Sequence, residues 1–386
     1  LRPITGELPL PPSREDRAGD EVVRPLPRLG WPPRGSASPE LKPLGAPWPS
    51  GGFLFVRGGY DAAMFSARLP WDSPENRLTR ALRERRAAGL PILDLSASNP
   101  TRAGLFSSGE LGDLLAPLAD PAGLGYAPDP AGLRLAREAV AGYYADRGLV
   151  VDPDDVVLCA STSEGYSWLF QVLCDPGDGV LVPQPSYPLF SHLLGLAAAL
   201  PVPYALDFDG RWRTGGLPLE GPSLRALLCV SPNNPTGSYL HRGEHRALDV
   251  ACAGRGLALI TDEVFGDYPL DAALRAYETA EDEIIPSLAG AETQALTLVL
   301  SGLSKVIGLP QLKLAWIVIG GPAPLRARAR ERLLLVADTF LSVSTPVQLA
   351  AAALLRQRPL LQGAIHRRVQ GNLAALQAQV RGTACD

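Results

Sequence analysis

From about residue 73 onward, short β-branched apolar runs alternate with stretches in which apolar residues recur at helical spacing. VVLCA, GVLVP, PVPYAL, RALLCVS, LALIT, ALTLVLS and LAWIVIG read as strands. SEGYSWLFQVLC, SYPLFSHLLGLA, GEHRALDVACAGRG and residues 324–336 read as helices between them. Upstream, SPENRLTRALRERRAAG reads as a helix capped by Ser73 and ended by Gly89. ILDLSASNP reads as a strand running into a turn, and AGLRLAREAVAGYYADRG as an amphipathic helix ending on Gly148. Strands that are apolar on both sides, separated by helices, predict a mostly parallel sheet with helices on both faces, an α/β three-layer αβα architecture. In such sheets ligands bind outside the carboxyl ends of the strands.

Composition narrows the classes. With 386 residues, 46% hydrophobic and 20% charged, the chain suits about two globular domains. A net charge of -4 and the lack of a basic stripe argue against nucleic acid as a partner. Cys159, Cys174, Cys229, Cys252 and Cys385 lie far apart without CxxC spacing and read as reduced thiols. Four histidines without an HExxH pattern give no expectation of a metal. No run approaches the roughly 20 apolar residues of a membrane span, and no signal peptide opens the chain, so a cytoplasmic protein without membrane attachment is expected. The first 50 residues carry twelve prolines, which predicts a leader without persistent helix or strand, or a polyproline segment for a groove-type partner.

The polar residues that stand out lie at five strand ends. After VVLCA, Ser161, Thr162 and Ser163 open a helix, either as an ordinary N-cap or as an anion site of unpaired amides and hydroxyls. After GVLVP, Tyr187 stands between prolines as a rigid aromatic plate. PNNPTG after RALLCVS is either a plain turn or a holder of a polar ligand edge. Asp262-Glu263 follows LALIT, and a partly buried Asp262 needs a cationic or hydrogen-bonded partner. ALTLVLS leads to Ser304 and Lys305, where a desolvated amine would be nucleophilic. Phosphate cradle, aromatic plate, amide, carboxylate and lysine together are what pyridoxal 5'-phosphate requires.

Between about residues 73 and 380 the chain resembles the class I/II aminotransferases of pyridoxal-phosphate fold type I, most specifically in SPNNPTG, TDEVF, SGLSK and YAPDPAGLRLAREAV. The resemblance implies an aminotransferase that moves an amino group from an amino acid to a 2-oxo acid. Lys305 would form the Schiff base and then carry the proton from the substrate Cα. Asp262 would pair with the ring nitrogen, Asn234 with the ring hydroxyl, and Tyr187 would stack on the ring. Ser161, Thr162, Ser163, Ser304 and Lys313 would hold the phosphate. Ser98 falls where a backbone amide meets the substrate carboxylate. Tyr126 falls on the tyrosine that reaches the phosphate of a neighbouring subunit, which implies a homodimer. The implied organisation is a leader over 1–60, an arm with part of a small domain over 61–102, a cofactor-binding large domain over 103–355 and the start of a small domain over 356–386.

The chain departs from the family pattern at Thr162 (usually Gly), Phe265 (usually Tyr), Lys313 (usually Arg) and Gly302 (commonly Ser). Phe265 gives up a hydrogen bond to the ring oxygen, which should raise the Schiff-base pKa, and Lys313 replaces a bidentate fork by a point charge. The family's substrate-carboxylate arginine lies beyond the last helix, so the sequence is expected to be truncated, and Arg367, Arg368 and Arg381 are not assigned that role. Family members specific for dicarboxylates often bring a second arginine from the partner subunit in the corresponding loop; DTFLSVSTP carries none, so the resemblance leans away from aspartate as the main donor and leaves a neutral amino acid such as alanine, or an aromatic one, with 2-oxoglutarate as acceptor. The alternatives are a C–S lyase or decarboxylase of the same fold, or a cofactor-binding but inactive fragment.

Overall fold

Successive residues of a strand point to opposite faces, so a run that is apolar throughout must be covered on both sides. The computed structural model describes residues 64–71, 74–93, 99–106, 108–270 and 279–383. It builds one eight-stranded sheet from β1 (Val156–Cys159), β2 (Gly179–Gln184), β3 (Leu200–Phe208), β4 (Trp212–Thr214), β5 (Leu224–Val230), β6 (Ala258–Asp262), β7 (Thr297–Gly302) and β8 (Ala315–Gly320). Their spatial order is β1-β8-β7-β6-β5-β2-β3-β4. The pairs β2–β3, β2–β5, β5–β6 and β6–β7 are parallel, whereas β8 runs antiparallel to both β1 and β7. The carboxyl ends of β1, β2, β5, β6 and β7 therefore open on the same edge.

The helices are α1 (Arg77–Ala87), α2 (Ser108–Leu115), α3 (Arg134–Ala145), α4 (Thr162–Leu173), α5 (Phe190–Leu196), α6 (Arg242–Arg255), α7 (Leu303–Val306), α8 (Ala323–Phe340), α9 (Thr345–Arg356) and α10 (Arg358–Val380). Neighbouring strand residues divide between two cores. Val156 and Leu158 pack with Val140 and Tyr144 of α3, Leu248 of α6 and Leu354 of α9. Val157 and Cys159 face the other side, with Trp168 and Phe170 of α4, Leu194 of α5 and Leu333 of α8. These are the three expected layers.

The elements depart from expectation in a few places. The cap of α1 is Asn76, whose side chain accepts from the Thr79 N–H, because Asn76 sits one residue before the first helical turn. Helix α8 continues to Phe340, where Leu341 turns left-handed. The short β4 forms a hairpin arm on β3 that the apolar pattern does not mark. Most of ILDLSASNP, including Ser98, and all of the Pro-rich leader lie outside the described residues. Among the described residues, Cys159, Cys174, Cys229 and Cys252 are free thiols, and no helix is long and apolar enough to cross a membrane.

Two glycines let elements approach closely beside the carboxyl edge. A Cβ at Gly165 would lie 2.8 Å from Leu300 Cδ2, so the start of α4 rests directly on β7. A Cβ at Gly302 would meet the Ala315 Cα at 2.9 Å and the Leu314 carbonyl at 3.1 Å, both backbone atoms of the antiparallel partner. A side chain at this position would therefore require the β8 backbone to shift. Gly302→Ser is expected to destabilise the fold by about 1–3 kcal/mol through overpacking, read as a lower urea midpoint with an unchanged slope.

Candidate active site

Asp262 ends β6 inside the protein, 7% exposed. Its Oδ2 accepts a hydrogen bond from the Tyr166 hydroxyl at 2.6 Å, and its Oδ1 accepts from the Val264 N–H at 3.0 Å. Burial pushes its pKa up, while the Tyr166 and Val264 hydrogen bonds and the Lys305 charge oppose the shift. Lys305 lies half-buried on the single turn of α7, with Nζ 5.3 Å from the centroid of the Phe265 ring. A one-turn helix leaves its last carbonyls without intrahelical donors. Here the Tyr268 hydroxyl donates to the Lys305 carbonyl at 2.7 Å, and Gln362 Nε2 of α10 donates to the Val306 carbonyl at 2.8 Å. The lysine is thus carried by a turn held from two sides.

The N-cap reading of the Ser-Thr-Ser stretch is realised. Ser161 Oγ caps α4 by accepting from the Glu164 N–H at 3.2 Å. The Glu164 carboxylate accepts from the Ala160 N–H and from the Ser342 hydroxyl, each at 2.6 Å. The N–H groups of Thr162 and Ser163 fall in the helix's first turn, where no carbonyl lies a turn behind to take them, so they remain open to an anion. Lys313, exposed and left-handed at φ 53°, follows on the same edge, a conformation uncommon outside glycine. Its charge partly opposes the rise that burial imposes on the thiol of Cys159, at the end of β1. Ser304 sits half-buried on α7 beside Lys305.

Tyr187 follows β2, partly exposed, edge-on to Phe190 at 5.8 Å. Asn233 and Asn234 have separated tasks. Asn233 is buried and holds the turn: Nδ2 donates to the Pro185 carbonyl at 3.0 Å and to Thr236 Oγ1 at 2.9 Å, while Oδ1 accepts from Ser186 at 2.9 Å. Asn234 is exposed, and its amide has no hydrogen-bond partner among the described residues, so it is available to a ligand. Tyr126 does not join this group. It is 83% exposed and lines a separate cleft with Pro128, Trp168, Ser342 and Gln348. Its loop is fixed by buried Arg137, which donates to the Gly132 and Pro153 carbonyls at 2.9 Å each.

The apolar pattern alone does not mark Tyr166, Tyr268 and Gln362. Tyr166 lies on the buried side of α4, where an aromatic residue signals packing first. Glu263 is neighbour to Asp262 but points to the opposite face. Its Oε1 accepts from the Leu288 N–H at 2.7 Å and its Oε2 from the Ser287 hydroxyl, and burial pushes its pKa up to about 7.

Comparison with known proteins gives a family for this geometry. The profile of the family described as aminotransferase class I and II matches residues 109–382. The glutamate-pyruvate aminotransferase AlaA of Haemophilus influenzae is 29% identical over 265 residues, 67% of this chain and 62% of that protein. The alanine aminotransferase of Mycobacterium tuberculosis is 32% identical over 272 residues, 68% of this chain and 59% of that protein. The chain therefore spans about three fifths of the length of these relatives. Among solved structures, an alanine aminotransferase from Pyrococcus furiosus superposes with a TM-score of 0.65 at 24% identity, covering 77% of this chain and 74% of its own. An aspartate aminotransferase from Thermotoga maritima gives 0.65 at 19% identity, covering 82% and 80%. Both share the fold.

Glu263 makes stability depend on pH. Its folded pKa of about 7 exceeds the ordinary 4.5, so between these values the unfolded chain loses this proton first and stability falls as pH rises. Glu263→Gln is expected to flatten that fall by up to one proton's worth of slope, measured by urea unfolding at pH 5, 6, 7 and 8.

Proposed function

The chain belongs to the class I and II aminotransferases, and on that premise we propose that it binds pyridoxal 5'-phosphate on Lys305 and transfers an amino group from an amino acid to a 2-oxo acid. The observation that carries this reading is the convergence of a buried carboxylate, a half-buried lysine and an open helix N-terminus on one sheet edge. The fit to the cofactor is chemical as well as spatial. Asp262 keeps an electron pair on each oxygen beyond its two hydrogen bonds, so it can still accept from a protonated ring nitrogen. The free amide of Asn234 suits a ring oxygen, and Tyr187 offers a ring face. The Thr162 and Ser163 amides, their hydroxyls, Ser304 and Lys313 suit a phosphate.

When bound, the cofactor supplies an electron sink for the charge that develops at the substrate Cα. Lys305 would hold the cofactor through Nζ, and its amine, when free, would serve as the base that takes up the substrate Cα proton and as the acid that gives it back. Phe265 lends that amine an apolar wall and a cation–π contact, without the hydroxyl usual in the family. Asp262 would pair its negative charge with a protonated ring nitrogen.

The relatives named for alanine and for glutamate and pyruvate support alanine or glutamate as donor, with pyruvate or 2-oxoglutarate as acceptor. Exposed Tyr126 on its anchored loop supports a homodimer in which this face meets a second copy. The free thiols of Cys159, Cys174, Cys229 and Cys252, among the described residues, are in keeping with a cytoplasmic setting. Ser98 remains assigned to the substrate carboxylate by resemblance.

The purified chain incubated with pyridoxal 5'-phosphate is expected to gain a visible absorbance band and to produce pyruvate from alanine and 2-oxoglutarate. Lys305→Ala is expected to lose the band and at least about 100-fold in turnover. A wild-type chain without the band after incubation contradicts the cofactor assignment. With an S-substituted cysteine supplied in place of alanine, pyruvate formed with release of ammonia and thiol and without use of the oxo acid identifies an elimination reaction instead.

A further inference from the structure

We propose that Tyr166 is a positioning residue for the ring nitrogen of the cofactor: its hydroxyl holds Asp262 as the anion and so keeps the shared proton on the ring. This rests on the reading of the site given above.

The geometry leaves the phenol little freedom. Tyr166 projects from α4 and is 2% exposed. Its ring is stacked with Phe170 at 6.0 Å and meets Phe190 edge-on at 5.2 Å, while Phe190 in turn meets Tyr187 edge-on. Such pairs fix ring orientation, and the hydroxyl points at Asp262 Oδ2 from 2.6 Å. A phenylalanine would fill the same volume, so core packing alone does not call for the oxygen. The plate expected over the cofactor and the carboxylate expected beneath its nitrogen are joined by one aromatic run, Tyr187–Phe190–Tyr166.

Among the described residues, the charged and titratable groups around Asp262 are few. They are Tyr166 from α4, Lys305 from α7, Cys229 from β5 and Glu263 next in the chain. Burial raises both the Asp262 carboxyl and the Tyr166 phenol, so the phenol stays protonated and acts only as a donor. Among the groups that lower Asp262, the Tyr166 hydrogen bond is the largest, ahead of the Val264 N–H and Lys305. A proton between a ring nitrogen and this carboxylate can rest on either. Donation to the carboxylate stabilises its anion, which places the proton on nitrogen. Without Tyr166 the carboxylate becomes the stronger base and draws the proton to itself.

Tyr166→Phe removes one oxygen and tests this in two states of the full chain. In the cofactor-free protein, the 13C resonance of the Asp262 carboxyl is expected to titrate about one to two pK units higher in the variant. In protein loaded with ring-15N cofactor, the nitrogen resonance is expected to move toward its unprotonated position, and kcat is expected to fall about 10-fold with KM changed less than about 2-fold. In an Asp262→Asn background, Tyr166→Phe should leave the 15N resonance where it is. Equal carboxyl titration in wild type and variant overturns the proposal, and so does an unmoved 15N resonance in a variant that has merely lost thermal stability. If the wild type takes up no cofactor, the proposed function fails, while the carboxyl titration still decides whether Tyr166 governs Asp262.

Discussion

The site is organised around a carboxylate that the sheet carries into the interior. Asp262 is the last residue of β6, between β5 and β7, and burying an ionised group there costs several kcal/mol unless it is paired and hydrogen-bonded. Three elements meet that need. Helix α4 supplies the Tyr166 hydroxyl, the chain after β6 supplies the Val264 N–H, and α7 supplies the Lys305 charge. Because α4 also presents its open N-terminus on this edge, the donor that secures the carboxylate and the amides that attract an anion belong to one rigid body. A ligand with a basic ring nitrogen at one end and a phosphate at the other matches that distribution of charge.

Close packing keeps these parts in place. Gly165 lets α4 lie on β7, and Gly302 lets β7 and β8 meet at the point where the chain turns into α7. The turn bearing Lys305 is then held by Tyr268 from the segment after β6 and by Gln362 from α10. The lysine's backbone is therefore coupled to the same strand that positions Asp262. Glu263 extends the coupling to the opposite face, where it ties down Ser287 and Leu288.

Much of this was legible in the residue pattern because a strand apolar on both faces has few alternatives to a covered parallel sheet. The runs around Val156, Val180, Leu227, Ile260 and Val299 all became strands, and Asp262, Lys305, Tyr187 and the start of α4 lie at the carboxyl edge as the topology requires. Residues whose task depends on long-range contacts were not legible. Tyr166 and Asp262 are 96 residues apart, and Gln362 and Val306 are 56 apart, so no local spacing announces either bond. Adjacent residues with opposite orientations were equally opaque: Asn233 and Asn234 share a letter, yet one is locked into the turn and the other is open to solvent. The helix cap at Asn76 shows the same limit at short range, since several capping residues stood within four positions of one another.

The chain contains three lysines, Lys42, Lys305 and Lys313, of which two fall in the candidate site. This makes one measurement unusually clean. Borohydride reduction of the protein incubated with pyridoxal 5'-phosphate, followed by peptide mass spectrometry, reports which amine the cofactor occupies. The account predicts the added mass on the peptide containing Lys305 and on no other. Label distributed to Lys313, Lys42 or the amino terminus, with Lys305 unmodified, would contradict it.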